Sequence, residues 1–189
     1  PGAGSDAAGS MSSHGVIVEE EVNGQKVLGM RIHWEKRYIT LAPRASLIGV
    51  AFRLYDPERL LGGKEDLGIT CALIPSDTPG VDSGERHDPL GVPFLNGPTR
   101  GRDVFASLDT VIGGREGCGK GWTMLMQCLS AGRGIMLPSS STGGAQLSLR
   151  VAGAHASVRE QFGMPIGKFE GVQEPLVRSA AHVYSLDAL

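Results

Sequence analysis

Apolar and polar residues alternate in short runs over the first two thirds of the chain, and glycine and proline separate the runs. This pattern is typical of β-strands joined by turns. Residues 16–22 and 27–32 flank Asn23-Gly24, a dipeptide favoured in tight hairpins because both positions take positive φ. Further strands are predicted over residues 38–41, 46–55, 69–74 and 103–108. Strands at this spacing predict an antiparallel β-sandwich or small β-barrel.

The hydrophobic period becomes that of a helix after Gly121. The segment PSSSTGG at residues 138–144 is an exception, because all four of its residue types are poor in a helix interior, and local propensity predicts a loop there. The sequence therefore predicts an α+β protein, with a β part over residues 1–115 and an α part over residues 116–189. The apolar residues with helical spacing are Trp122, Leu125, Met126 and Leu129, then Leu147, Val151, Ala154 and Val158, then Val172, Leu176, Ala180 and Val183.

Composition and charge exclude several classes of protein. The 18 Lys+Arg against 20 Asp+Glu give a net charge of -2, whereas nucleic-acid-binding proteins usually carry a clustered basic excess. We therefore expect no nucleic-acid partner. No apolar run approaches the roughly 18 residues that mark a transmembrane helix, so no membrane span is predicted within this chain.

The three cysteines, Cys71, Cys118 and Cys128, form no C-x-x-C pair. This favours a reducing, cytoplasmic location over a disulfide framework or a structural zinc site, and all three are predicted to be small buried residues. The chain opens on Pro1, without an initiator methionine or a signal-peptide pattern, which indicates a fragment of a longer protein.

Residues 114–121, GREGCGKG, nearly match the phosphate-binding P-loop G-x-x-x-x-G-K-S/T. Gly121 stands where the motif requires a hydroxyl, so a glycine-rich β-to-α junction with a solvated Lys120 is favoured over a nucleotide site. The five histidines lack metal-ligand spacing and are interpreted as surface or loop residues, so no metal site is predicted.

Two arginines allow two interpretations each. Arg133 lies in the helical part, and Arg159 stands at a predicted helix end shortly before Gly163. Such residues can complement the helix dipole next to a glycine cap. Their guanidinium groups can equally bind a diphosphate, and the sequence leaves both interpretations open.

Several segments share the order of motifs in one protein family. They are PGAGSD at residues 1–6, KRYIT at 36–40, TPGV at 78–81, DVF at 103–105 with IGG at 112–114 and GKGW at 119–122, and REQFG at 159–163. In this order they resemble the T-E-P-x-x-G-S-D, K-x-W-I-T and R-x-Q-F-G motifs of the acyl-CoA dehydrogenases. The sequence at residues 37–43 and 97–101 most resembles that of the large bacterial fatty-acyl-CoA dehydrogenases of β-oxidation.

The resemblance implies an FAD-dependent oxidoreductase that converts fatty acyl-CoA to trans-2-enoyl-CoA. Such enzymes remove the α-proton with a carboxylate and pass the β-hydride to flavin N5. The chain would hold the β-barrel-like middle, flavin-binding domain at residues 1–115 and the opening helices of an incomplete C-terminal helical-bundle domain at residues 116–189. The resemblance also makes residues 138–144 helical, against local propensity, and we follow the resemblance here.

The resemblance also implies the site residues. Arg159 and Gln161 would reach the FAD of a neighbouring subunit, which implies a homo-oligomer. Arg133 and Ser5 would bind the acyl-CoA. Further cofactor-binding residues are Pro1, Gly2, Gly4 and Ser5 along the flavin, Tyr38 at the flavin-stacking position in place of tryptophan, and Thr40 near the O4/N5 edge.

The departures from the family pattern concern catalysis. The usual catalytic glutamate of the family lies beyond residue 189, and the rarer alternative position matches Gly132, which cannot accept a proton. No catalytic residue is therefore assigned within the chain, which we expect to be inactive alone. Electrons would pass to a separate acceptor such as an electron-transfer flavoprotein. The alternatives are a non-catalytic binding or scaffold module of the same fold and, less favoured, a P-loop-like nucleotide-binding protein.

Overall fold

The computed structural model describes residues 11–92 and 94–189, and these form a mixed β-sheet followed by two helices. The chain divides into two compact units, with the boundary in the sequence between Met126 and Gln127. The sheet consists of β1 His14–Val22, β2 Gln25–Thr40, β3 Leu47–Tyr55, β4 Asp66–Pro75, β5 Val81–Asp82 and β6 Asn96–Ser107. The remaining elements are α1 Gly121–Val158, the short strands β7 Glu160–Gln161 and β8 Met164–Pro165, and α2 Glu170–Asp187.

The six-stranded sheet has the order β4-β3-β1-β2-β6-β5. Its first hairpin is the predicted one, because Asn23 and Gly24 both take positive φ, at 52° and 77°. The α+β class is confirmed, but in the described residues the sheet does not close into a barrel. The expectation of a purely antiparallel sheet is wrong as well. β1 and β3 pair in parallel, since the strand between them in sequence, β2, lies on the other side of β1.

One face of the sheet forms the core of the first unit. Alternate residues are buried along β3 and in the middle of β2, as in Met30, Ile32 and Trp34, because side chains along a strand point to opposite faces. The predicted apolar face near the end of β6 is confirmed, since Val104, Ala106 and Leu108 are all buried.

Two further predictions are wrong, one about a separate strand and one about the burial of a cysteine. The predicted separate strand at residues 38–41 is the end of β2, which runs on to Thr40 without a turn. Cys71 is buried and Cys118 is half-buried, but Cys128 is exposed on α1. Burial raises the thiol pKa of both Cys71 and Cys118, as expected for small packed residues.

The helix α1 continues through residues 138–144, as the family resemblance implies and local propensity does not. The hydroxyl groups there bond back along the helix, from Ser140 to the Met136 carbonyl and from Thr142 to the Pro138 carbonyl, each at 2.9 Å. These groups therefore stay within the helix instead of competing with it. Within the described part of the chain, neither helix has the length and apolar character needed to cross a membrane.

The glycine-rich segment at residues 114–121 packs against β4. This agrees with its interpretation as a connection between strand and helix. The Gly119 N–H donates to Thr70 Oγ1 at 2.8 Å. A Cβ at Gly121 would lie 2.9 Å from Cys71 Sγ, so the glycine permits this close approach. Lys120 is exposed, as predicted.

Candidate functional site

The end of β2 departs from the regular ladder that it forms with β6. Between the pairs Lys36–Thr99 and Ile39–Gly97, β2 contributes two residues and β6 contributes only Pro98. One extra residue on one strand is a β-bulge, and proline is tolerated there because it has no N–H to give to the ladder. The two residues of β2 in the bulge are Arg37 and Tyr38.

Tyr38 and Thr40 lie two positions apart on β2, so their side chains leave the strand on the same face. The Tyr38 side chain is 63% exposed, and Thr40 is exposed as well. Together they offer a flat aromatic surface and a hydroxyl that can donate or accept a hydrogen bond. The structure thus brings together two residues that the sequence predicts to contact a flavin.

His87, from the loop between β5 and β6, packs against the Tyr38 ring. Its ring lies 4.4 Å from the Tyr38 ring, centroid to centroid, at an interplanar angle of 39°. Its Nε2 lies 2.8 Å from the Arg37 carbonyl oxygen. Because a carbonyl only accepts, we assign the proton to Nε2. The imidazole therefore links the bulge of β2 to the ring of Tyr38.

The backbone around His87 is held by a close approach to β6. The His87 N–H donates to the Asn96 carbonyl at 2.8 Å. A Cβ at Gly97 would lie 2.0 Å from the Glu85 carbonyl oxygen, a separation that real Cβ atoms do not show. Only glycine at position 97 therefore allows the loop to approach β6 in this way.

Asn96 adds a buried acceptor beside Thr40, its register partner on β2. Its Oδ1 is buried and has no hydrogen-bond partner among the described residues. A buried acceptor without a donor costs about 1–3 kcal/mol, and a bound group with an N–H could supply that donor. The exposed ring of Tyr38, the Thr40 hydroxyl and this acceptor fit a flat heteroaromatic group that carries ring N–H and oxygen atoms.

Lys36 is half-buried at the start of the bulge. Burial lowers the pKa of its ammonium group, because removal from water disfavours the charged form. The cationic form of Lys36 is therefore less favoured than that of a solvated lysine.

The second unit carries the other predicted residues that the structure describes. Arg133 is exposed on α1, and a Cβ at the neighbouring Gly132 would meet nothing within 4 Å. Arg159 follows the last residue of α1, and Gln161 lies on β7. Gly163 is not the predicted helix cap. With φ of 78° it forms the tight turn between β7 and β8.

Part of the predicted site lies outside the described residues, namely Pro1, Gly2, Gly4 and Ser5. Their predicted approach to the Tyr38–Thr40 strand stays a prediction. In residues 11–92 and 94–189, no group of three or more histidine, cysteine, aspartate or glutamate side chains is placed to hold a metal ion.

The sequence interpretation missed His87 and Asn96. The sequence predicts His87 only as a surface or loop histidine, and Asn96 carries no motif of its own. It predicts no strand at Gly97-Pro98 either, so it gives no indication of a bulge there, whereas β6 begins at Asn96. Nothing in the sequence indicates that a histidine ten residues earlier returns to that bulge.

Comparison with protein families matches residues 1–104 to the acyl-CoA dehydrogenase middle domain and residues 119–189 to the acyl-CoA dehydrogenase C-terminal domain. Protein HemX of Proteus mirabilis is 58% identical over 104 residues, which are 55% of this chain and 61% of that protein. The mitochondrial isobutyryl-CoA dehydrogenase of Dictyostelium discoideum is 35% identical over 121 residues, which are 62% of this chain and 28% of that protein.

Among solved structures, the acyl-CoA dehydrogenase of Bacillus anthracis complexed with FAD has the same fold. It superposes with a TM-score of 0.71 and 23% identity, over 98% of this chain and 28% of that chain. This chain therefore spans less than two thirds of the length of each of these three proteins.

Proposed function

Because this chain belongs to the acyl-CoA dehydrogenase family, we propose that it forms the flavin-binding middle domain and the opening helices of the C-terminal domain of an FAD-dependent acyl-CoA dehydrogenase. The proposed domains are residues 1–115 and 116–189. The observation that carries the flavin assignment is the cluster of Tyr38, Thr40 and Asn96. It offers an aromatic face, a hydroxyl and a buried acceptor that no described residue bonds to.

The cluster would hold the isoalloxazine ring of FAD, which supplies a hydride acceptor when bound. Tyr38 offers one face of its ring for stacking, and Thr40 donates a hydrogen bond to an oxygen or nitrogen of the flavin edge. Asn96 Oδ1 accepts from a ring N–H. By the family resemblance, Pro1, Gly2, Gly4 and Ser5 line the same cofactor, and Arg159 and Gln161 reach the FAD of a second subunit of a homo-oligomer.

The proposed substrate is a fatty acyl-CoA, oxidised to trans-2-enoyl-CoA in β-oxidation, with Ser5 and Arg133 binding the CoA ester. A guanidinium suits this task because it keeps its charge and donates several hydrogen bonds to phosphate oxygens. The proposed electron acceptor is a separate electron-transfer flavoprotein, and the proposed location is the cytoplasm.

Replacing Tyr38 by alanine is expected to weaken FAD binding about tenfold, because the stacking surface is lost. FAD is titrated into the protein and followed by quenching of flavin fluorescence. Tyr184→Ala is the matched control, since Tyr184 is similarly exposed but lies on α2. Failure of the unaltered chain to bind FAD, or equal affinities of the two variants, would refute the proposal, and the first result would favour a scaffold module.

The chain with FAD bound is not expected to be reduced by acyl-CoA. Gly132 offers no carboxylate at the position that the resemblance matches to the alternative base, so nothing there removes the α-proton. The measurement is anaerobic mixing with a fatty acyl-CoA, followed by the visible absorbance of the flavin. Dithionite serves as the control that the bound flavin can be bleached. Bleaching by acyl-CoA would contradict this expectation.

A further inference from the structure

We infer that His87 is a positioning residue that fixes the plane of the Tyr38 ring, and through it the orientation of the flavin. The inference rests on the proposed function and extends it to a loop residue outside the predicted site. The contacts of His87 are with Arg37, Tyr38 and the backbone of β6, so its inferred effect on the cofactor is transmitted by Tyr38.

The position of His87 relates to the bulge opposite Pro98. Proline has no N–H, and the ladder between β2 and β6 is irregular where Pro98 faces the bulge. A donor from outside the two strands can therefore bond to a backbone carbonyl of the bulge. The imidazole N–H of His87 supplies that hydrogen bond to the Arg37 carbonyl at 2.8 Å.

His87 is held at its backbone and at its ring. Its backbone N–H donates to the Asn96 carbonyl and its ring to the Arg37 carbonyl, each at 2.8 Å. These two bonds restrict rotation of the imidazole, which lies 4.4 Å from the Tyr38 ring.

A tyrosine that is 63% exposed has few packing contacts of its own to hold one rotamer. Contact with a fixed neighbouring ring removes part of that freedom before any ligand arrives. Binding then orders fewer groups, which is the general advantage of a preorganised site. His87 thus contributes to FAD affinity through Tyr38 and to the angle at which the flavin stacks.

Three substitutions separate the parts of this role. His87→Ala removes both the ring and the hydrogen bond, and we expect it to weaken FAD binding about tenfold. His87→Phe keeps a ring without the N–H, and His87→Gln keeps a donor that can reach the Arg37 carbonyl without the ring. We expect each of these two to weaken binding by about threefold. His155→Ala, an exposed histidine on α1, is the control.

A second readout does not depend on FAD. In protein labelled with fluorotyrosine, the fluorine resonance of Tyr38, assigned with Tyr38→Phe, should carry a ring-current shift from His87. His87→Ala should remove that shift, His87→Gln should do the same, and His87→Phe should retain much of it. An unfolding curve for each variant separates loss of positioning from loss of the fold.

The two readouts distinguish the two proposals. Failure of the unaltered chain to bind FAD would overturn the proposed function, while the fluorine shift would still report whether His87 fixes Tyr38. If the chain binds FAD and His87→Ala changes neither the affinity by more than about twofold nor the Tyr38 resonance, the positioning role of His87 is wrong.

Discussion

Replacing Gly101 by alanine should lower the free energy of unfolding of the β-sheet unit by about 3 kcal/mol. A Cβ at this position would lie 2.1 Å from two ring carbons of Trp34. Trp34 is only 3% exposed, and its Nε1–H donates to Thr99 Oγ1 at 3.2 Å, so the ring cannot move aside without losing a buried hydrogen bond. The extra methyl group must therefore displace packed core atoms.

Gly49→Ala is the matched control for this substitution. Gly49 also lies within a strand, but a Cβ there would meet only a Leu73 methyl group at 3.9 Å, an ordinary contact. We expect its free energy of unfolding to change by no more than about 0.5 kcal/mol. Urea unfolding followed by tryptophan fluorescence measures both variants. If the two variants are equally stable, the predicted clash between a Cβ at Gly101 and the Trp34 ring does not occur.

Replacing Gly97 by alanine should weaken FAD binding by about tenfold, as much as the loss of the Tyr38 ring, since one methyl group disturbs the whole support of Tyr38. A Cβ at Gly97 would lie 2.0 Å from the Glu85 carbonyl oxygen and 2.8 Å from a ring carbon of Pro43. The Glu85 atom belongs to the backbone, so the loop itself must move. His87 would then lose both its hydrogen bond to the Asn96 carbonyl and its contact with Tyr38.

Gly84→Ala provides the comparison within the same loop. A Cβ at Gly84 would have only an Asp82 carboxylate oxygen near it, at 4.0 Å. FAD titrations of the two variants, with the fluorotyrosine resonance of Tyr38 as a second measure, should separate them clearly. If Gly97→Ala binds FAD as tightly as Gly84→Ala does, the loop does not support the site.

The strands were predictable because their determinants are local. Asn23-Gly24 specifies the first hairpin by its backbone preference, and alternation places Val104, Ala106 and Leu108 on the buried face. The parallel pairing of β1 with β3 was not predictable in this way. Pairing between strands that are not adjacent in sequence depends on packing of the whole sheet rather than on turn residues.

Two other features required more than local preference. Residues 138–144 form helix although serine, threonine, glycine and proline disfavour it, and the family resemblance was the better guide. Within the proposed site, the family resemblance predicts Tyr38 and Thr40. The contribution of His87 depends on a loop that returns to the bulge opposite Pro98, a long-range contact without any periodic signal.

A crystal structure of this chain with FAD bound would show whether the end of β2 binds the isoalloxazine ring, through the separation between the flavin and the Tyr38 ring. We expect the two rings in stacking contact, with the Thr40 hydroxyl and Asn96 Oδ1 hydrogen-bonded to the flavin edge. Flavin bound elsewhere on the chain, with the Tyr38 ring left open to solvent, would contradict it.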